Sequence, residues 1–135
     1  MSQAATQVEV QLSEGPLGAA IQWRPTGAGA VVQFEGVVRP TESGRALRGL
    51  TYESYEPMTR RMLRDLGRDI VQQHTLTALR VEHSVGFVAN HDVSFRLYVA
   101  AAHRKAALGA MDAFIDRMKQ DVPLWKVPEW GLGDG

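Results

Sequence analysis

The sequence predicts an α+β domain in which helices pack on one side of a mainly antiparallel sheet. Short segments in which apolar and polar residues alternate occur in pairs joined by turns, as in β-hairpins. Two longer segments have apolar residues at helical spacing, and they separate the strand pairs rather than following every strand. The 135 residues suit a single domain, 1–135, in which residues 1–6 and 131–135 are expected to be loose.

Three strands and one short helix are predicted in the first half of the chain. Residues 8–12 alternate between apolar and polar, and residues 15–23 are expected to form a short helix that the following proline and glycine end. A second alternating segment covers 30–38, a polar loop is expected over 40–48, and another strand over 50–55. This order favours a hairpin with a long connection.

The second half has clearer periodicity. Residues 56–74 carry an apolar stripe at helical spacing, with several arginines on the other faces. Residues 79–87 and 93–99 alternate strictly and are joined by a short Ala-Asn-His turn, which is typical of a hairpin. A last helix is predicted over 104–118, again with one apolar face.

Composition excludes several classes of protein. Fifteen basic and fifteen acidic residues give a net charge of zero, so a general binder of nucleic acid or of anionic membranes is not expected. No apolar run approaches the length of a membrane span and the N-terminus lacks the pattern of a secretory signal, so a cytoplasmic location is expected. The absence of cysteine rules out disulfides, thiolate metal sites and a persulfide on this chain.

Two lysines seven positions apart form the most informative pattern. Lys119 lies at the end of the last predicted helix, and Lys126 follows a Pro-Leu-Trp segment. Because Pro123 pushes the preceding residue out of the helical region, the chain must bend, and both ammonium groups could meet one anionic ligand. We expect Pro123, Leu124 and Trp125 to form an apolar wall that lowers the pKa of a lysine. The alternative is a solvated helix end with a favourable lysine.

Other basic residues are weaker candidates when each is considered alone. Arg39 follows a predicted strand, where its guanidinium suits a phosphate or carboxylate, although a surface arginine is the commoner case. His103 and Arg104 lie where a strand meets a helix, and a helix N-terminus favours anions. A capping or core role for His103 is equally compatible with the pattern. His83 lies on the apolar face of its strand, which favours a structural role, and no spacing among the histidines indicates a metal site.

Four segments, in order and with similar gaps, resemble the large, catalytic subunit of molybdopterin synthase. They are Phe34 to Arg39 with Gly36, Leu50 to Met58 with Glu53 and Tyr55, Ala102-His103-Arg104, and the segment from Lys119 to Lys126. Each is weak, but four in register over about residues 29–130 make a specific match. The resemblance implies an α/β-hammerhead arrangement and a homodimer within a heterotetramer.

The activity that the resemblance implies is sulfur transfer to cyclic pyranopterin monophosphate, which forms the dithiolene of molybdopterin. The sulfur would arrive as the C-terminal Gly-Gly thiocarboxylate of a small ubiquitin-like sulfur-carrier subunit. Lys119 and Lys126 would be catalytic, while Arg39, His103 and Arg104 would bind the substrate. No metal, cofactor, nucleic acid or membrane is expected to take part.

Departures from the family pattern leave alternatives open. Ser84 stands where a basic residue commonly follows the histidine, Val127, Pro128 and Glu129 replace a basic and then an acidic residue, and the chain stops at Gly135 without a longer charged tail. A non-catalytic homologue that binds a ubiquitin-like tail or a pterin as a scaffold is therefore the second hypothesis. An unrelated anion-binding α+β domain is the third, and it would require the four segments to coincide by chance.

Overall fold

The computed structural model of the protein describes residues 7–131, which form seven strands and two long helices. In chain order these are β1 (Val8–Glu14), β2 (Ala30–Val37), β3 (Thr41–Glu42), β4 (Arg45–Ser54), α1 (Met58–His74), β5 (Ala78–Ala89), β6 (Val93–Ala101), α2 (Arg104–Asp121) and β7 (Leu124–Trp130). The expected loose residues 1–6 and 132–135 lie outside the described residues. Gly131 is held, because its amide donates to the carbonyl of Ala46 at 3.0 Å.

The strands form one sheet in which β5 is the longest member. The strand order is β2-β6-β5-β4-β3, with β1 beside β5 and β7 beside β4. The first part of β5 lies between β6 and β1, and its last residues pair with β4 instead. Among the strand pairings of residues 7–131, only that of β1 with β5 is parallel. The change of neighbours occurs near Gly86, whose φ of +82° favours glycine.

Both helices cover one face of this sheet and bury the main core against it. The apolar stripe of α1 and the small and apolar face of α2 pack on alternate residues of β5 and β6. Buried members are Leu63, Leu66, Ile70, Leu79, Val81, Leu97, Val99, Ala107, Ala110, Met111, Phe114 and Met118. Each fully buried large aliphatic side chain contributes about 1.5–3 kcal/mol. The predicted α+β class, mainly antiparallel with helices on one side, is confirmed.

The opposite face of the sheet is polar and is covered by residues 15–29. Arg96, only 3 % exposed, donates to Glu35 at 2.7 Å, to Glu82 at 2.8 Å and to the carbonyl of Gly18 at 2.9 Å. The amide of Ile21 donates to the hydroxyl of Tyr98 at 3.2 Å. The short helix predicted over 15–23 is therefore wrong, because the backbone of this segment bonds to the sheet instead of to itself.

Three further strand predictions need correction. β2 pairs with β6 rather than with β4, so the predicted hairpin with a long connection does not exist. The predicted loop over 40–48 contains a tight hairpin between β3 and β4, in which Ser43 and Gly44 both have positive φ. This backbone suits a two-residue turn between twisted strands. Finally, residues 124–130 form β7, where only a turn after the last helix was expected.

Candidate active site

A pocket of about 560 Å³ lies between the C-terminal end of α2, the strands β4 and β7, and the ends of β2 and β6 that are nearest to them. We call it the lysine pocket. Its apolar lining includes Phe34, Val37, Val38, Leu50, Phe95, Ile115, Met118 and Leu124, and its polar lining comprises Arg39, Glu42, Tyr52, His83, Ser94, Lys119 and Lys126. Its size is within the usual range for a small-molecule site.

Lys119 and Lys126 line this pocket from two different elements. Lys119 is in the last turn of α2, which ends at Asp121 because Val122 is extended (φ −92°, ψ 130°) ahead of Pro123. The chain then reverses into β7, where Lys126 pairs across the ladder with Tyr52 of β4. The bend therefore brings two cations to one pocket, and both side chains are solvent-exposed.

The apolar wall beside the lysines is not the one that the sequence suggested. Successive residues of a strand point to opposite faces, so Leu124 and Lys126 face the pocket while Trp125 faces away from it. Trp125 packs edge-on against Tyr55, with ring centroids 4.7 Å apart. The expectation for Trp125 is thus wrong, and Ile115, Met118 and Leu124 form the wall instead. This wall buries neither lysine, since both side chains are exposed.

Arg39 reaches the lysine pocket from the segment that follows β2. Its side chain is 73 % exposed, and one guanidinium nitrogen lies 3.3 Å from a carboxylate oxygen of Glu42. An exposed pair of this kind contributes at most about 1 kcal/mol. Arg39 is therefore held weakly by Glu42 and can exchange this partner for an anionic ligand.

His103 and Arg104 lie at the opposite end of α2 from Lys119. His103 is the extended N-cap residue, Arg104 begins the helix, and both are exposed. Arg104 and Lys119 are fifteen positions apart in α2, which corresponds to about 22 Å along a helix axis. The structure thus brings Arg39, Lys119 and Lys126 together, whereas the same chain does not bring His103 and Arg104 to this pocket.

Three polar residues of the pocket were not predicted from the sequence, namely Glu42, Tyr52 and Ser94. The hydroxyls of Tyr52 and Ser94 are 2.9 Å apart. Ser94 is the extra residue of a β-bulge, because Gly36 pairs with Phe95 and Val37 with Val93. Bulges redirect side chains, and nothing in the alternating sequence of β6 marks this one. Burial raises the pKa of Tyr52, the bond to Ser94 opposes this shift, and the charge of Glu42 adds to it.

His83 forms part of the inner wall of the pocket. It is 5 % exposed, and its Nδ1 lies 2.8 Å from the carbonyl oxygen of Ser84. Burial lowers the pKa of His83 to about 4, a shift that the bond to Ser84 opposes in part. Its ring packs against Tyr52 at 5.0 Å and Phe95 at 5.7 Å. This burial agrees with the structural role predicted for it.

Residues 7–131 contain neither a cluster of metal-binding side chains nor a membrane-spanning helix. In this range no three His, Asp or Glu side chains are grouped closely enough to hold a metal ion. Neither helix in the same range is apolar enough to cross a membrane.

Known proteins resemble this chain in sequence and in fold. The sequence profile of the family described as "MoaE protein" matches residues 8–121. A relative in Bacillus subtilis, named "Molybdopterin synthase catalytic subunit", is 36 % identical over 107 residues, which are 79 % of this chain and 68 % of the relative.

Solved structures share the fold. Molybdopterin synthase from Staphylococcus aureus superposes with a TM-score of 0.76 and 29 % identity, covering 100 % of this chain and 95 % of that chain. A chain from the complex of subunits 1 and 2 of the molybdopterin-converting factor of Helicobacter pylori has a TM-score of 0.71 at 23 % identity, over 88 % of this chain and 83 % of its own, and it shows the fold alone. With a family profile that spans most of its length, the chain belongs to the MoaE protein family.

Proposed function

We propose that this chain is the catalytic subunit of a molybdopterin synthase. It transfers sulfur from the C-terminal thiocarboxylate of a small ubiquitin-like subunit to cyclic pyranopterin monophosphate and so forms the molybdopterin dithiolene. The observation that carries the proposal is the lysine pocket, in which Arg39, Lys119 and Lys126 of a MoaE family member converge. The reaction belongs in the cytoplasm.

The chemistry divides among the three cations. Lys119 acts directly, as an acid–base group or by a covalent bond to the reacting centre. Lys126 stabilises negative charge that develops during transfer, and Arg39 binds the phosphate. Sulfur cannot be stored on this chain as a persulfide, because the sequence contains no cysteine. Each transfer leaves a carboxylate on the small subunit, so two charged copies are needed for the two sulfurs of one dithiolene.

The small subunit reaches this pocket through its C-terminal Gly-Gly tail. A tail without side chains can enter a narrow space, and its terminal carboxylate or thiocarboxylate is an anion that the lysines would attract. A relative of the same fold is described as a complex of subunits 1 and 2 of the molybdopterin-converting factor. We extend this arrangement to the present chain, as a homodimer that carries two small subunits.

In a homodimer, His103 and Arg104 of one copy can reach the lysine pocket of the other copy. Within residues 7–131, β2 is an edge strand that pairs only with β6, and its exposed side chains include Val31, Phe34 and Val37. Ala30 at the start of β2 pairs with Ala101, just before the head of α2, whereas the end of β2 lines the lysine pocket. Antiparallel pairing of two β2 edges would therefore place His103 and Arg104 of one copy beside the pocket of the other.

Reconstitution tests the proposed activity. The full-length protein would be mixed with a thiocarboxylated small subunit and cyclic pyranopterin monophosphate, and the dithiolene product measured in a single turnover. Product that depends on both components supports the synthase. Tail or pterin binding without product would instead support the scaffold hypothesis that the departures from the family pattern motivated.

Mixed dimers test the shared site. Each proposed pocket takes Lys119 from one copy and Arg104 from the other. A dimer of one Lys119→Ala copy and one Arg104→Ala copy therefore has both substitutions in one pocket and keeps the other pocket intact. We expect the Lys119→Ala homodimer to be inactive and the Arg104→Ala homodimer to be strongly impaired at low substrate concentration. Random exchange of equal amounts makes half of the dimers mixed, so the mixture should recover about one quarter of the unmutated activity. No recovery after exchange of subunits would show that Lys119 and Arg104 do not act across two copies.

A further inference from the structure

The lysine pocket has two chemically different ends. Arg39, Lys119 and Lys126 are exposed cations, and Glu42 adds one carboxylate beside them. The buried end adjoins these cations, since Tyr52 pairs with Lys126 across the ladder, and it is formed by Tyr52, Ser94, His83 and Phe95. The last three of these are at most 6 % exposed. A phosphate and a carboxylate tail match the charged end. Neither the phosphate nor the tail accounts for the residues of the buried end.

Hydrogen-bonding capacity remains at the buried end. A hydroxyl carries one hydrogen and two lone pairs, and the bond of 2.9 Å between Tyr52 and Ser94 uses only one of their two hydrogens. The pair can therefore still donate one hydrogen bond and accept others. Since burial raises the pKa of Tyr52 and lowers that of His83, both groups are uncharged at neutral pH. This end offers polar contacts without charge.

Flat apolar surfaces accompany the hydroxyl pair. The rings of Phe34 and Phe95 pack at a centroid distance of 5.9 Å, and His83 packs against both Phe95 and Tyr52. Gly36 permits this packing, since a β-carbon there would lie 3.3 Å from the β-carbon of Phe95. Aromatic faces combined with neutral hydrogen-bonding groups suit a planar heterocycle with amide-like edges.

We propose that Tyr52 and Ser94 bind the uncharged heterocycle of the pterin substrate, and so fix its orientation relative to the lysines. The β-bulge at Ser94 is the structural device that makes the subsite, because it directs this hydroxyl to the same side as Phe95. The inference rests on the proposed function for the identity of the substrate. It assigns Tyr52 and Ser94 as specificity residues rather than as acids or bases.

Two single variants and a matched control test the subsite. Tyr52→Phe keeps the ring that packs on His83 and removes the hydroxyl, and Ser94→Ala removes its partner. Tyr55→Phe is the control, because Tyr55 is 53 % exposed and packs on Trp125 outside the pocket. Affinities for cyclic pyranopterin monophosphate and for 6-hydroxymethylpterin, which has no phosphate, would be measured by calorimetry with the full-length protein.

We expect Tyr52→Phe and Ser94→Ala each to weaken binding of both pterins about three- to tenfold, the effect of one hydrogen bond. The double variant should lose little more than either single one, because the two hydroxyls act as a pair. Competition by inorganic phosphate should be unchanged in these variants and weakened in Arg39→Ala. Tyr55→Phe should bind every ligand normally.

Unchanged pterin affinity in both single variants would overturn the subsite. An equal loss of phosphate and pterin affinity would also overturn it, since that pattern reports general distortion of the pocket. The proposed function fails in a different way, when the unmutated protein makes no dithiolene in the reconstituted reaction. Product from the unmutated protein together with normal pterin binding by Tyr52→Phe and Ser94→Ala would reject the subsite alone.

Discussion

The hydroxyl of Thr59 donates a hydrogen bond of 2.8 Å to the carbonyl of Pro123, and it accepts one of 2.7 Å from the amide of Tyr55. Thr59 is fully buried in the first turn of α1, and Pro123 lies in the bend between α2 and β7. One side chain thus fixes the start of α1 to the bend that separates Lys119 from Lys126. We therefore expect this contact to help to set the relative position of the two lysines.

Replacement of this hydroxyl should loosen the bend. Thr59→Val keeps the shape of the side chain but leaves the carbonyl of Pro123 and the amide of Tyr55 without their partner. We expect a loss of about 1–3 kcal/mol in the free energy of unfolding by urea. Thr51→Val is the control, because Thr51 is partly exposed whereas Thr59 is fully buried, so its bond to Glu129 should contribute less than about 1.5 kcal/mol. Equal effects of the two variants would contradict the role given to Thr59.

The two lysines should respond differently to arginine. Lys119→Ala and Lys119→Arg should both abolish single-turnover product formation, because arginine keeps the charge but does not release a proton. Lys126→Arg should retain more activity than Lys126→Ala, since Lys126 acts through its charge. Arg117→Ala, on another face of α2 where it pairs with Asp69 at 3.2 Å, is the control and should keep full activity. Substantial product from Lys119→Ala would remove this residue from the mechanism.

Arg39, which follows β2, and Arg104, which begins α2, should contribute to substrate binding, whereas Arg60 of α1 should not. Arg39→Ala and Arg104→Ala should each weaken binding of cyclic pyranopterin monophosphate by about 1.5–3 kcal/mol, the range for a lost charged hydrogen bond. Arg60→Ala removes an exposed pair between Arg60 of α1 and Glu56, which precedes that helix, and should change this affinity little. Calorimetric titration would decide, and identical behaviour of all three variants would mean that the assigned phosphate site is wrong.

Association with the small subunit should depend on its tail. The pocket is the only assigned location on this chain for a terminal carboxylate, so a partner that lacks its last two residues should bind much more weakly than the full-length partner. Surface plasmon resonance with both forms would measure the difference. Equal affinities would show that no tail enters the lysine pocket.

Because His83 is buried, the free energy of unfolding should depend on pH. Its pKa is about 4 in the folded protein and near 6.5 when unfolded, so the unfolded state binds more protons between these values. Stability is therefore unaffected above about pH 6.5 and falls as the pH drops towards 4. Between pH 7 and 4.5 the loss from this group is about 2–3 kcal/mol, and His83→Gln should flatten the urea-unfolding profile by that amount. An unchanged profile would mean that His83 is not held neutral.

Periodicity in the sequence was sufficient to predict the helices and strands that pack against the main core. Both helices and the β5–β6 hairpin were predicted because each presents a continuous apolar face to that core. The helix end before Pro123 was predicted for a local reason, the steric effect of proline on Val122. That bend also predicted that Lys119 and Lys126 meet at one pocket. The family resemblance predicted that Arg39 belongs to the same site.

Tertiary structure decided whatever depended on partners distant in the chain. Residues 15–23 are not helical because their backbone bonds to β5, β6 and Arg96. Residues 124–130 form a strand because they pair with β4. Trp125 faces away from the pocket because strand alternation, not the bend, sets its direction. Ser94 reaches Tyr52 through a bulge that requires the register of β2. These features depend on long-range hydrogen bonding and register, which alternation within one segment does not encode.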